Sequence, residues 1–208
     1  MRQVEGASGW YAMLTFDGGP DPKFTPLVLD LLRHKKAKAT FFVEGRKALQ
    51  YHVLIRHMVR DGHEVGVGSW DSASYDLSGA SEEGAVQLRS RFVTLRDQVT
   101  NITGVPVRLM RPPLGLADEA FAKVASSARL STVLWSVELP DNLPGQEPLS
   151  TLAKTKAQRL QPGDIVFVAG SWTHKLAALP FFLQSAYDKG FEFVPISLFL
   201  QFPNDKPH

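Results

Sequence analysis

The chain has 208 residues, which is long enough for one well-buried core, and it contains no evident linker between two domains. Hydrophobic residues make up 44% of the sequence and charged residues 21%, and the net charge of +2 is too small to indicate a nucleic acid or an anionic membrane as a partner. Cysteine is absent, which excludes disulfide bonds, thiolate metal sites and a cysteine nucleophile. We predict a single domain over residues 1–208, with a core from about residue 10 to about residue 200.

Neither a membrane span nor a signal peptide is predicted within this sequence. The first nine residues, Met1–Gly9, lack the apolar h-region of a signal peptide. No apolar run approaches the ~20 residues that cross a bilayer, and the longest candidate, Leu176–Leu183, is interrupted by Pro180. These features do not fix the compartment.

Short apolar runs alternate with segments of helical periodicity along the chain. The predicted strands are Tyr11–Phe16, Ala39–Val43, Glu64–Gly68, Val107–Arg111, Ser131–Val137, Asp164–Ala169 and Phe191–Ile196. The first predicted helix is capped by Thr25, with Pro26 in its first position, and the second is a stretch through Arg60. A long helix is predicted from Ser81 to about Thr103, followed by one capped by Asp118 and one opened by Pro148. The last two are Leu176–Lys189 and a short terminal helix. The apolar stripe of the first helix is predicted to be Leu27, Val28, Leu31 and Leu32. The basic run Arg33–Lys38 fits the end of that helix, where cations face the negative pole of its dipole.

The order of these elements predicts the fold class. Strands separated by helices imply right-handed crossovers and a mainly parallel sheet. Ile165–Val168 is apolar on both faces, as expected of a strand covered by helices on both sides. Seven such units fit an α/β fold with a distorted, incomplete (β/α) barrel of about seven parallel strands better than a short open sheet. In a barrel, functional residues lie where the strands end and the following loops begin.

Several segments at these strand ends together resemble a known family. Thr15-Phe16-Asp17-Gly18-Gly19-Pro20 follows the first predicted strand, and Arg111-Pro112-Pro113-Leu114-Gly115 follows the fourth. Four further segments take part, namely Ala39–Gly45, Asp61–Gly66, Val133–Asp141 and Gly163–Gly170. In this order, from about residue 12 to residue 198, the sequence resembles the NodB-homology domain of polysaccharide deacetylases (carbohydrate esterase family four). The resemblance implies a distorted (β/α) barrel, an acetylated glycan as substrate, and a secreted or cell-surface location.

The family mechanism implied by the resemblance is metal-assisted amide hydrolysis. One Asp and two His hold a divalent ion, usually zinc, which polarises the acetamide carbonyl and activates a water molecule. A second Asp acts as the base, and a His protonates the leaving amine. Asp17 matches the base, but Gly18 stands at the metal-binding Asp, and Gly68 and Ser72 stand at the two metal-binding His. Val168-Ala169-Gly170 replaces the segment that carries the proton-donating His.

These replacements predict that the family reaction and its metal cofactor are both lost. A metal lowers the pKa of bound water from 15.7 to about 7, so its loss forfeits up to about 12 kcal/mol of activation free energy. Enzymes supply about 8–23 kcal/mol in total. Arg111 matches the family Arg that pairs with the base Asp. We therefore expect Asp17, a vestigial base, and Arg111 to persist as a structural ion pair, because removing one partner of a buried pair strands the other.

The leading interpretation is therefore a glycan-binding or regulatory module without the family's metal catalysis. Two alternatives remain open. A rebuilt metal site could use Asp17, Asp71 and His174, with Asp76 nearby, and would make the protein an active N- or O-deacetylase. The simpler interpretation is that Asp71 and Asp76 are loop or turn residues and that His174 begins a helix. The other alternative is a structural or interaction domain that binds no sugar.

The resemblance implies that a binding module would take a peptidoglycan or chitin-like glycan. The family lines its groove with aromatic and apolar side chains, on which sugars stack. The substrate-binding candidates are Trp70, Pro112, Leu114, Trp135 and Trp172. Trp135 also fits a core position, because Leu134 and Val137 flank it. Leu114 stands where the family usually has an aromatic residue.

Overall fold

A computed structural model describes residues 10–70, 82–139, 148–168 and 172–200. Over these ranges the chain forms eight β-strands, eight α-helices and one 3-10 turn. The strands are β1 Trp10–Gly19, β2 Ala39–Val43, β3 Glu64–Val67, β4 Leu109–Met110, β5 Ser131–Thr132, β6 Val137–Leu139, β7 Ile165–Val168 and β8 Phe191–Phe193. The α-helices are α1 Thr25–His34, α2 Gly45–Gln50, α3 His52–Arg60, α4 Glu82–Thr103, α5 Glu119–Ser127, α6 Leu149–Gln158, α7 Trp172–Asp188 and α8 Ile196–Leu200. The 3-10 turn is Pro113–Gly115.

The strands form a single sheet with the order β5-β4-β3-β2-β1-β7-β6, and β8 pairs with β1 beside this path. The pairs β1–β8, β3–β4, β4–β5 and β6–β7 are parallel. In the part of the chain that is described, the path ends at β5 on one side and at β6 on the other. Parallel strands that are linked by helices and form a sheet that does not close are the arrangement of an incomplete barrel. The predicted fold class is therefore confirmed.

The chain divides into two compact units that alternate along the sequence. The first unit comprises residues 1–15, 27–40 and 135–208, and the second comprises residues 16–26 and 41–134. Both β1 and β2 run from one unit into the other. In the first unit, α6 packs on α7. In the second, α4 packs on α3 and α5, and its buried side chains are Leu88, Phe92, Leu95 and Val99. That spacing follows the 3.6-residue helical period.

Local sequence signals placed most elements at their observed positions. β2 has the predicted bounds, and all five of its residues are buried. The predicted cap of α5 is also present, since Asp118 Oδ1 accepts a hydrogen bond of 2.7 Å from the backbone N–H of Phe121. Three predictions were wrong. Thr25 is the first residue of α1 and not its cap, and its Oγ1 accepts a hydrogen bond of 2.8 Å from the backbone N–H of Asp21. Leu27 is 50% exposed and Leu31 is half-buried, whereas the buried residues of α1 are Thr25, Val28, Leu29 and Leu32. The predicted fifth strand is two short strands, β5 and β6.

No helix among the described residues has both the length and the apolar character needed to cross a membrane.

Candidate functional site

An ion pair joins the end of β1 to the residue that follows β4. Arg111 Nη1 donates to Asp17 Oδ1 at 3.0 Å. The Arg111 side chain has no exposed surface, whereas 30% of the Asp17 side chain is exposed. The contact predicted from the sequence is therefore present, and it leaves part of the carboxylate facing solvent.

Arg111 makes three further contacts that satisfy its charge and its donors. Its guanidinium carbon Cζ lies 4.3 Å from the centre of the Phe42 ring. Nε donates to the backbone carbonyl of Val133 at 3.2 Å, and Nη2 donates to that of Leu134 at 3.2 Å. Burial lowers the pKa of Arg111, and the charge and hydrogen bond of Asp17 act in the opposite direction. The guanidinium nevertheless stays protonated, because an arginine side chain is not deprotonated in proteins.

The same contacts explain why the predicted fifth strand is broken. The carbonyls of Val133 and Leu134 lie between β5 and β6 and accept hydrogen bonds from the Arg111 side chain. Their hydrogen-bond donor is a side chain, whereas the carbonyls of a continuing strand accept from backbone N–H groups of the neighbouring strand. The apolar run 131–137 predicts one strand, because its local pattern cannot reveal a side chain that arrives from β4.

Backbone hydrogen bonds hold the end of β1 and the loop after β3 against the start of α2. The bonds run from Glu44 N–H to Gly19 O at 2.8 Å, from Gly45 N–H to Ser69 O at 2.9 Å, and from Arg46 N–H to Trp70 O at 3.0 Å. They occupy amide donors that have no partner inside the helix. The ends of three neighbouring strands are thereby fixed relative to one another.

The described residues at the positions predicted to match the family's metal ligands offer no side-chain ligand to a divalent ion. Gly18 has no side chain, and its φ of +81° is a left-handed backbone conformation. Its carbonyl accepts a hydrogen bond of 3.0 Å from the Lys47 ammonium. Gly68 also lacks a side chain, and an added Cβ would lie 3.3 Å from the Val43 carbonyl oxygen. No group of three or more His, Asp or Glu residues suited to a metal occurs within the described ranges.

Several candidate residues lie outside what the structure describes. These are Asp71, Ser72, Asp76, Ala169 and Gly170, together with the side chains of Trp172 and His174. The rebuilt metal site and the contribution of Trp172 to substrate binding therefore remain predictions.

Comparison with known proteins identifies the family. The family profile described as polysaccharide deacetylase matches residues 6–133. The chain belongs to the polysaccharide deacetylase family. It is 31% identical over 192 residues to a peptidoglycan-N-acetylglucosamine deacetylase of Bacillus cereus, covering 91% of this chain and 87% of that protein. It is 30% identical over 205 residues to a chitooligosaccharide deacetylase of Sinorhizobium fredii, covering 91% of each chain.

Solved structures support the same fold. This deacetylase homologue superposes with a TM-score of 0.78 on a pseudoenzyme of carbohydrate esterase family four from Bacillus anthracis, covering 93% of this chain and 66% of that one. A mutant of a family pseudoenzyme, described as having restored enzymatic activity, also matches with a TM-score of 0.78 and covers 93% of this chain and 68% of that one. The identities are 22% and 23%, so these two likenesses establish the fold alone.

The apolar candidates of the second unit differ in what they offer a ligand. Leu114 is 80% exposed and has a left-handed backbone, with φ 58° and ψ 11°. Pro112 is buried. Trp70 is half-buried and lies against Gly45, where an added Cβ would come within 2.6 Å of the indole. Leu114 is therefore the exposed apolar candidate beside Arg111 in this polysaccharide deacetylase homologue.

Trp135 belongs to the other unit. It is half-buried, and its ring centroid lies 4.5 Å from that of Phe167, at an interplanar angle of 41°. The contact with Phe167 accounts for part of its surface as core packing. Its substrate-binding role stays a prediction.

Sequence reasoning missed Lys47 and Glu44 as parts of the candidate site. Lys47 Nζ lies 2.9 Å from Glu44 Oε2 and 3.0 Å from the carbonyl oxygen of Gly18. The spacing of three residues at the start of a helix is a signal that could have revealed the ion pair. The contact with Gly18 spans 29 positions of sequence, and no local pattern predicts it.

Proposed function

We propose that this member of the polysaccharide deacetylase family binds a cell-wall or chitin-like glycan without hydrolysing it by the family's metal-dependent reaction. The observation that carries the proposal is the backbone conformation and the hydrogen bonding of Gly18. It stands at the position of the metal-binding Asp, has a left-handed backbone with φ +81°, and is bound through its carbonyl to the Lys47 ammonium.

The loss of catalysis follows from the chemistry of the remaining groups. Asp17 can accept a proton, but a base alone does not polarise an acetamide carbonyl or lower the pKa of the attacking water. Arg111 is buried, and its side chain contacts Asp17, two backbone carbonyls and the Phe42 ring. It therefore orients the carboxylate and is not placed to activate water. A metal lowers the activation free energy by up to about 12 kcal/mol, and none of these residues replaces that contribution.

The retention of binding is supported by the surface that surrounds the ion pair. Part of the Asp17 carboxylate is accessible, and Leu114, Leu116 and Leu134 are exposed apolar side chains close to Arg111 in sequence or through its hydrogen bonds. Sugars combine hydroxyl and amide groups with apolar ring faces, so a site of this composition suits them. The relatives that act on peptidoglycan and chitooligosaccharides supply the glycan class for this proposal.

Two measurements on the whole chain test the proposal. Purified protein incubated with zinc is assayed for acetate release from N-acetylglucosamine oligomers and from peptidoglycan, and bound zinc is determined by elemental analysis. Binding of the same oligomers is measured by calorimetry. We expect saturable binding, no acetate above the rate without protein, and less than stoichiometric zinc.

Other outcomes would assign one of the alternative functions. Acetate release that depends on one bound zinc per chain would establish a rebuilt catalytic site. Absence of binding to either glycan, with no activity, would favour a structural or interaction domain.

A further inference from the structure

We propose that three arginine side chains at the end of α5, those of Arg89, Arg96 and Arg129, form a binding site for a phosphate group. We call these three residues the arginine cluster. The inference goes beyond the proposed glycan binding and rests on other residues.

The arginine cluster lies where strands begin, whereas Asp17 and Arg111 lie where strands end. α5 ends at Ser127 and β5 begins at Ser131, whose backbone N–H donates at 2.7 Å to the carbonyl of Arg108, the residue before β4. Because β4 and β5 are parallel, both strands begin on this side of the sheet. The cluster is therefore a different place from the one that the Asp17 carboxylate occupies.

Two of the arginines are held by the last turn of α5. Arg89 Nε donates to the carbonyl of Ser127 at 3.2 Å, and Arg96 Nη1 donates to that of Ala128 at 2.6 Å. Carbonyls at the C-terminus of a helix have no partner inside the helix and lie at the negative pole of its dipole. These contacts hold two arginines of α4 beside the residues that precede Arg129.

The backbone does not account for an arginine at position 129. Arg129 is the second residue after the end of α5 and has a left-handed conformation with φ 58°. The equivalent residues after α3 and α7 are Gly62 and Gly190, with φ 80° and 91°. Glycine is favoured at such positions because it has no Cβ to clash with the following carbonyl oxygen. A cation is favoured near the negative end of α5, but Arg89 and Arg96 already supply that charge.

Two of the three charges are not neutralised by the described residues. Segments 84–96 and 120–137 contain no Asp or Glu. Arg96 forms an ion pair of 2.7 Å with Asp97, but Arg89 and Arg129 form no ion pair within the ranges that the structure describes. Both residues are exposed, so an anion can reach them from solvent.

The available donors favour a phosphate over a carboxylate. Nε is the one donor that Arg89 uses in a hydrogen bond with the described residues, and Arg129 uses no side-chain donor there, so most of their ten N–H groups are available. The two oxygens of a carboxylate match one guanidinium. A phosphate group has three acceptor oxygens and a charge of about −1.5 to −2, so it can pair with two guanidinium groups at once. Its source can be free phosphate or a phosphate carried by a polymer.

An NMR titration of the whole chain tests the site through the arginine Nε–H signals. Sodium phosphate, linear polyphosphate and sodium acetate are added separately, and sodium chloride keeps the ionic strength constant. We expect saturable shifts with phosphate and about 5-fold weaker binding of acetate, because an exposed ion pair contributes about this factor. Tighter binding of polyphosphate per phosphate group would assign the site to a polymer, and equal binding would assign it to free phosphate.

Arg129→Gly separates binding from folding. Glycine suits the left-handed backbone, so this variant should keep or raise the Tm while it weakens phosphate binding about 5-fold. Arg89→Gln should weaken phosphate binding by a similar factor. The matched control is Lys36→Gly, because Lys36 is the second residue after the end of α1, is exposed and has φ 53°. The control removes the same charge and the same backbone strain, and it should leave the phosphate affinity unchanged.

Three results would overturn the site. Phosphate that shifts no arginine signal more than chloride does would exclude binding. Equal weakening by Arg129→Gly and Lys36→Gly would assign the binding to net charge, and equal affinities for acetate and phosphate would exclude a phosphate site. None of these results bears on glycan binding, which the calorimetry with oligomers measures separately.

Discussion

Arg111 and Asp17, separated by 94 positions in sequence, form an ion pair of 3.0 Å in which only the carboxylate reaches solvent. Such a pair is held by its surroundings, since Arg111 also contacts Phe42 and two backbone carbonyls. We therefore expect this pair to have a structural role that does not depend on turnover.

Substitution of Asp17 tests that structural role. Asp17→Asn should lower the free energy of unfolding by about 1–3 kcal/mol, less than for a fully buried pair because Asp17 is partly exposed. Denaturant unfolding measures the change. The control Asp97→Asn removes an exposed carboxylate that pairs with Arg96 and should stay within about 0.5 kcal/mol of the wild type. Equal stability of Asp17→Asn and the wild type would refute the structural pair.

Zinc should have little effect on thermal stability. A site that holds zinc in the folded state alone would stabilise the protein by about 2.7 kcal/mol at a hundredfold excess over its Kd, which raises the Tm of a chain of this size by roughly 5–10 °C. Gly18 and Gly68 offer no side-chain ligand, so we expect neither zinc nor EDTA to change the Tm beyond error. Scanning calorimetry with each additive makes the measurement. A reversible zinc-dependent rise would indicate ligands outside the described residues.

Leu114 should matter for binding and not for folding. An L-residue in a left-handed conformation costs about 1–2 kcal/mol, and asparagine tolerates this conformation better, so Leu114→Asn should be as stable as the wild type or up to about 1 kcal/mol more stable. Removing the exposed apolar side chain should weaken glycan binding about 5-fold, as expected for partial burial of a leucine against a sugar. Calorimetry and denaturant unfolding give the two values. The exposed Val105, changed to Asn, is the control, and equal affinities of all three proteins would exclude Leu114 from the binding surface.

Because the pKa of Tyr187 is raised, we expect the protein to lose stability at alkaline pH. Burial, followed by the charge of Glu192, raises the pKa of its phenol to about 12. The phenol is neutral when protonated, so this contribution to stability is complete below about pH 10 and is lost as the pH rises toward 12. After allowance for partial exposure, it amounts to about 1 kcal/mol.

Tyr187→Phe isolates this effect. The hydroxyl is buried and makes no hydrogen bond with the described residues, so the variant should equal or exceed the wild type in stability at pH 7. Between pH 10 and 12, urea unfolding should show a shallower loss for the variant than for the wild type. Parallel profiles over this range would contradict the raised pKa.

Sequence alone predicted the elements whose signals are local. Ala39–Val43 was placed correctly because it is a short, mostly apolar run rich in β-forming residues, and Asp118 was placed because an N-cap acts within one helical turn. Resemblance to the family pointed to the contact of Asp17 with Arg111. The break between β5 and β6 and the contact of Lys47 with Gly18 were missed, since each depends on a side chain that meets a distant segment.

The attachment of Arg111 to the carbonyls between β5 and β6 has a consequence for interpreting genomes. We expect an arginine that supports the course of the backbone to be retained under selection for a folded protein, whatever happens to the reaction. The motif that contains it will then persist in descendants that have stopped processing acetyl groups. The presence of the motif in a sequence indicates membership of the family. The side chains at positions equivalent to 18 and 68 are the better markers of catalytic activity.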